Sequence, residues 1–184
     1  MSRTESTMLP LGTLAPNFEL VDVITQKKVK FNVSPEHTAS VIMFICNHCP
    51  YVKHINSELT RLANDYSSKG VRFLAISSND VKNYPDDSPE NMIQNAHTFN
   101  YPFPYLYDET QEVASAYKAA CTPDFYVFDK DLSLVYRGQL DDSRPGNNIP
   151  VTGASIRQAL DCLLSGTPLD LEQKPSLGCN IKWK

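Results

Sequence analysis

At 184 residues the chain is the size of one ordinary domain with decorations, taking about 150 residues per domain. Hydrophobic residues at 41% and charged residues at 21% suit a soluble globular chain, and the longest wholly apolar run, Val41 to Cys46, is far short of the roughly 18 to 20 residues a bilayer crossing needs. Seventeen basic against 21 acidic side chains give a net charge of -4, which argues against nucleic acid or a membrane surface as partner.

Met1 to Thr7 is polar and lacks the apolar core of a secretory signal. Residues 1–15 show no periodicity and read as an arm, while Phe18 to Val23 and Lys28 to Phe31 read as a small hairpin, so that 1–33 form an N-terminal extension. Ser40 to Ile45 is apolar on both faces, as a strand buried in mid-sheet must be. After Cys46-Asn47-His48-Cys49, the apolar residues Val52, Ile55, Leu59, Leu62, Ala63 and Tyr66 recur at helical spacing until Gly70. Val71 to Ile76 is the next apolar strand and completes a βαβ unit.

Ser88-Pro89-Glu90 has the cap, N1 proline and first-turn acid of a helix carrying Met92, Ile93, Ala96 and Phe99 inward and ending near Pro102. Phe103 to Tyr107 is short and extended, and Asp108-Glu109-Thr110-Gln111 has capping-box spacing for a helix to about Lys118. Phe125 to Phe128 and Leu132 to Arg137, around the turn Asp129-Lys130-Asp131, predict a second hairpin. Asp141 to Pro150 is a loop, and Thr152 is placed to cap a last helix with Ile156, Leu160, Leu163 and Leu164 on one face and Gly166 past its end. Residues 166–184 are left as a C-terminal arm. The order predicts an α/β fold over 1–184 as a single domain, with a central mixed β-sheet flanked by helices.

Five cysteines, at 46, 49, 121, 162 and 179, are an odd number in a chain too large to need a disulfide framework, which favours reducing surroundings and a cytoplasmic location. The C-x-x-C spacing of Cys46 and Cys49 fits a redox dithiol or half of a zinc site, and no second such pair completes a metal site. A Cys46 at the strand end and a Cys49 in the first helical turn would bring their Cα atoms to about 5 Å, within the bridging window. A helix N-terminus and an adjacent imidazolium both lower a thiol pKa, so Cys46 is the expected thiolate and His48 its donor or proton source. Pro50 leaves the order of the two open: if it marks helix onset, Cys49 is at the cap and competes for the nucleophile's role. Stabilising the thiolate favours the reduced form and makes the couple more oxidising.

Four segments resemble the thioredoxin superfamily, specifically the peroxiredoxin-like redoxins related to AhpC/TSA. They are Gly12 to Leu20, Phe44 to Val52, Cys121-Thr122-Pro123-Asp124-Phe125 and the terminal Gly178 to Lys184, together spread over most of the chain. The resemblance implies a thioredoxin-like fold with an N-terminal extension and places Thr122-Pro123 as a cis-proline loop facing the dithiol. Thioredoxin itself carries tryptophan before Cys-Gly-Pro-Cys, whereas Ile45 precedes and Asn47-His48 intervene here. Peroxiredoxins carry threonine three and proline seven positions before the peroxidatic cysteine. Met43 and Ala39 occupy those positions before Cys46, and Cys46 and Ile42 before Cys49, so the local motif does not support peroxidase chemistry.

The leading expectation is a thiol-disulfide oxidoreductase working on a protein or small-molecule disulfide through Cys46, Cys49 and His48, with Thr122 and Pro123 opposite, and recycled by an external thiol reductant. No organic cofactor and no metal is required. Two alternatives stand beside it: a thiol-dependent hydroperoxide reductase acting as an antioxidant, and a metal-binding or metal-delivery module using Cys46, Cys49 and a nearby histidine. Cys121 reads equally as a buried inert thiol or as a further redox thiol. Cys179 reads as an exposed tail thiol or a third redox thiol, in a tail that Trp183 could anchor. Cys162, His37, His54 and His97 read as incidental. Arg137 reads as exposed, with thiolate screening as the alternative, and Asp124 as a turn residue or a proton relay.

Overall fold

The structure, a computed structural model, describes residues 3–184. Met1 and Ser2 of the expected N-terminal arm lie outside the described residues. The elements in chain order are β1 (Arg3–Glu5), β2 (Phe18–Asp22), β3 (Lys28–Phe31), β4 (Ala39–Phe44), α1 (Pro50–Ser67), β5 (Val71–Ser77), α2 (Pro89–Phe99), β6 (Tyr105–Tyr107), α3 (Glu112–Ala116), β7 (Cys121–Thr122), β8 (Asp124–Asp129), β9 (Leu134–Gly138), α4 (Ala154–Ser165) and β10 (Leu177–Asn180). A single 3-10 turn, Pro85–Asp87, precedes α2.

Seven strands form a mixed sheet in the order β3-β2-β6-β5-β4-β8-β9. β4 lies inside the sheet, parallel to β5 and antiparallel to β8. Burial of both faces explains why β4 is apolar at every position but Ser40. Val41 and Met43 join the cluster that takes up α1, α2 and α4, while Ile42 and Phe44 join the opposite cluster with Val113 and Ala114 of α3 and with Phe31 of the N-terminal hairpin. The α/β architecture is therefore the expected one, a central mixed sheet with helices on both faces.

Helix α1 buries all six residues of the predicted stripe, Val52, Ile55, Leu59, Leu62, Ala63 and Tyr66. Each large side chain so covered is worth about 1.5 to 3 kcal/mol. Helix α2 begins as predicted, with the Ser88 hydroxyl accepting from the Asn91 N–H at 3.4 Å, and it buries Met92 and Ala96 while Ile93 and Phe99 are half-buried.

Three expectations change. Helix α3 is a short Glu112–Ala116 segment rather than one opening at Asp108, although the Asp108 carboxylate still accepts from the N–H groups of Val113 and Ala114. Gly153, not Thr152, caps α4, and the Thr152 and Gly153 N–H groups both donate to Asp141 at 2.7 Å. The two arms are not aperiodic appendages, because β1, β10 and β7 form a second, three-stranded antiparallel sheet in the order β1-β10-β7. Trp183 does not anchor the tail, being 48% exposed. Ile181, 1% exposed, does, and the Ile181 N–H donates to Ala120 and the Lys182 N–H to Asn79.

Candidate active site

Two registers bring the site together. In the β4–β8 pair Phe44 faces Asp124, so the chain leaving β4 toward Cys46 runs beside the chain entering β8 through Thr122 and Pro123. In the β7–β10 pair Cys179 faces Thr122, which sets Gly178 and Cys179 against the same loop. The Thr122–Pro123 bond is cis, as the resemblance implies. The Thr122 hydroxyl lies 3.2 Å from the Cys46 sulfur and the Thr122 carbonyl 3.2 Å from the Cys49 sulfur.

Helix α1 starts at Pro50, with proline in the N1 position it tolerates best, and Cys49 is its N-cap in an extended conformation (φ -66°, ψ 124°). Pro50 thus marks helix onset, the case in which Cys49 sits at the cap and competes with Cys46 for the nucleophile's role. The Cys49 sulfur receives the Cys46 thiol, the Cys179 thiol and the backbone N–H groups of Val52 and Cys179, and these outweigh burial to bring its pKa down to about 5. Cys46, facing that thiolate and buried near the Asp87 carboxylate, is pushed well above the ordinary thiol range. These directions make Cys49 the more acidic thiol of the pair. The Sγ atoms of Cys49 and Cys179 stand 2.8 Å apart.

His48 also departs from expectation, because it turns to Asp87 instead of serving the Cys46 sulfur. Its Nδ1 lies 2.5 Å from Asp87 Oδ2, and since an ionised carboxylate only accepts, Nδ1 carries the proton. The ring stacks on Tyr84 at 5.7 Å, and Nε2 is buried with no hydrogen-bond partner among the described residues. The Asp87 carboxylate also accepts from the N–H groups of Asn47 (2.7 Å) and His48 (3.2 Å) and from the Asn79 amide (2.7 Å). Burial raises the Asp87 pKa, but His48 and Asn79 outweigh it and hold the group below the usual carboxylate range, while Asp87 holds the His48 imidazole above its own. Asp87 thereby fixes the two residues between the cysteines. Sequence reasoning missed it, since nothing in local spacing links position 87 to position 48.

The remaining candidates separate cleanly. Cys121 and Thr122 are neighbours on one strand and face opposite ways. Thr122 meets the dithiol, whereas the buried Cys121 points to the Pro123 carbonyl at 3.6 Å and is kept protonated by burial. Cys179 is 4% exposed, not an exposed tail thiol. Arg137 is fully buried, against the expectation of an exposed side chain. It ion-pairs with Asp124 at 2.9 Å and lies over the Tyr126 ring at 4.3 Å. Burial pushes Asp124 up to about 6 despite that partner. His54 bonds Ser143 at 2.7 Å rather than standing in solvent. Cys162 is half-buried on α4. Ligand-type atoms of Cys46, His48 and Asp87 lie within 4.8 Å of one another, the arrangement through which metal binding would act, with Asp87 in place of the second cysteine.

A C-x-x-C segment at the junction of a central strand and a helix, faced by a Thr-Pro loop from the antiparallel neighbour, defines a thioredoxin-like protein of the redoxin type. The profile of the AhpC/TSA family matches residues 11–137, and the chain belongs to that family. No curated protein matches the sequence. Among solved structures, the chain is similar to an uncharacterized conserved protein from Geobacillus kaustophilus, at 65% identity over 100% of this chain and 97% of that one, with a TM-score of 0.97. It is similar to a hypothetical protein from Sinorhizobium meliloti, at 42% identity over 98% of each chain and a TM-score of 0.95. It shares its fold with the thioredoxin domain of a thiol-disulfide oxidoreductase from Bacteroides vulgatus, at 16% identity over 71% of this chain and 89% of that one, with a TM-score of 0.60. Among the described residues no helix is long and apolar enough to cross a membrane.

Proposed function

We propose that the chain is a thiol-disulfide oxidoreductase in which Cys49 attacks and Cys46 resolves. The observation that carries this reading is the Cys49 sulfur at the N-cap of α1, ringed by thiol and backbone donors. The Cys49 thiolate attacks a protein or small-molecule disulfide; one S–S bond breaks, a mixed disulfide on Cys49 forms, and the first product leaves as a thiolate that takes up a proton. Forming the mixed disulfide removes the anion that contributes most to holding the Cys46 proton in place. Cys46 then ionises with the Thr122 hydroxyl 3.2 Å away to stabilise it, attacks Cys49 and releases the second product thiolate. Two electrons have passed to the substrate, and an external thiol reductant restores the dithiol. Cys49 and Cys46 are 0% and 1% exposed in the reduced state, so the chain around them has to open for substrate to reach them.

Turnover of a protein disulfide with dithiothreitol as reductant tests the assignment. The native chain is expected to be catalytic, Cys49→Ser inactive, and the double variant Cys46→Ser, Cys179→Ser arrested as a mixed disulfide on Cys49. A Cys49→Ser chain with undiminished turnover contradicts it. The same assay with a hydroperoxide in place of the disulfide tests peroxide reduction, and stoichiometric zinc in chain purified without chelators would favour the Cys46, His48 and Asp87 cluster as a metal site instead.

A further inference from the structure

We infer that Cys179 is a third redox thiol, an in-chain partner that forms a Cys49–Cys179 disulfide in exchange with Cys46–Cys49. The inference deepens the proposed function and rests on Cys49 being its reactive sulfur.

Three observations converge. The Cys49 and Cys179 sulfurs are 2.8 Å apart, and since an S–S bond is about 2.05 Å, less than an ångström of approach joins them. The juxtaposition is written into the register: Cys179 pairs directly with Thr122, whose hydroxyl lies 3.2 Å from the Cys46 sulfur and whose carbonyl lies 3.2 Å from the Cys49 sulfur, so the cross-strand partner stands beside the dithiol. Third, the strand is held close by backbone. A Cβ built on Gly178 would stand 1.9 Å from the Thr122 carbonyl oxygen, so only glycine lets β10 lie near enough for its next residue to touch Cys49. Downstream, the buried Ile181 and the Lys182 backbone pin the chain to Ala120 and Asn79. Cys121, on the opposite face of β7, has no such approach.

The step conserves electrons. Starting from Cys46–Cys49, the Cys179 thiol loses its proton to solvent and its sulfur attacks Cys49. The Cys49–Cys179 bond forms, the Cys46–Cys49 bond breaks, and Cys46 departs as a thiolate that takes up a proton. An external dithiol reduces either form to three thiols. In the Cys49–Cys179 form β10 is bonded across the attacking sulfur, which closes the site to disulfide substrates and joins positions 130 apart in sequence.

The test equilibrates the full chain in mixtures of oxidised and reduced dithiothreitol, quenches with acid, alkylates and maps linkages by mass. The native chain is expected to yield both the 46–49 and 49–179 links, Cys46→Ser and Cys46→Ala only 49–179, and Cys179→Ser only 46–49. Native chain giving 46–49 alone, with Cys179 alkylated throughout and Cys49 of the Cys46 variants carrying dithiothreitol, overturns the inference and leaves the proposed function standing. A 49–179 link in the native chain without any 46–49 link overturns the exchange and removes Cys46 as the resolving thiol, leaving Cys179 in that place.

Discussion

The two sheets of this molecule do different work with opposite kinds of sequence. The seven-stranded sheet has at its heart β5, β4 and β8, mostly apolar strands of seven, six and six residues that pack against α1, and it leads into Cys46 and Cys49. The three-stranded sheet is made of strands of three, four and two residues drawn from both ends of the chain and the middle, and it delivers Thr122 and Cys179. The reactive sulfur stands between them. The larger sheet leads into Cys49, and the smaller one sets Thr122 and Cys179 against it.

The comparison can be broken from either side. The largest effect should come from the corner itself: Cys49→Ser is expected to bring disulfide turnover to the uncatalysed background while leaving the fold intact, read by kinetics and circular dichroism. On the smaller sheet, Gly178→Val pushes side-chain atoms into the Thr122 carbonyl and should cost about 3 kcal/mol in denaturant unfolding. Ile181→Ala should cost about 2 to 4 kcal/mol by emptying a buried site. Both should expose Cys49 to alkylation. Trp183→Ala, at a half-exposed position two residues on, should change stability by no more than about 0.5 kcal/mol. Equal losses for Ile181 and Trp183 would mean that the tail is anchored otherwise than described.

Asp87→Asn is the subtler test, at about 2 to 3 kcal/mol near pH 6. Asp87 titrates below its ordinary 3.8, so its contribution is complete above that value and lost as pH falls through the lower folded pKa. His48 titrates above 6.5, so its contribution is complete below that value and lost as pH rises through the higher folded pKa. The difference in stability between the native chain and Asp87→Asn should therefore be flat between about 4 and 6.5 and shrink above it, measured by unfolding both chains across pH.

Local periodicity made the larger sheet legible. The α1 stripe, the apolarity of β4 on both faces and the turn at 129–131 each report on neighbours a few residues away, and each matches the structure. The C-x-x-C pair was readable from spacing, and the helix start beside it hung on one residue, Pro50. What was illegible is non-local. A three-residue strand at Arg3–Glu5 pairing with Leu177–Asn180 leaves no periodic trace, nor does Asp87 reaching back to Asn47 and His48. Arg137 was misread for a related reason: hydropathy places an arginine in water, whereas a carboxylate and a tyrosine ring, both brought by β8, hold this one inside.

The ultraviolet absorbance of thiolate, followed against pH in the native chain and in its Cys46→Ser, Cys49→Ser and Cys179→Ser variants, addresses the central claim without needing a reagent to enter the site. The native chain should show one transition with a midpoint at about 5. That transition should vanish in Cys49→Ser and move upward in the other two as a donor is lost. A low transition that survives in Cys49→Ser and disappears in Cys46→Ser would assign the anion to the wrong sulfur here and contradict the account.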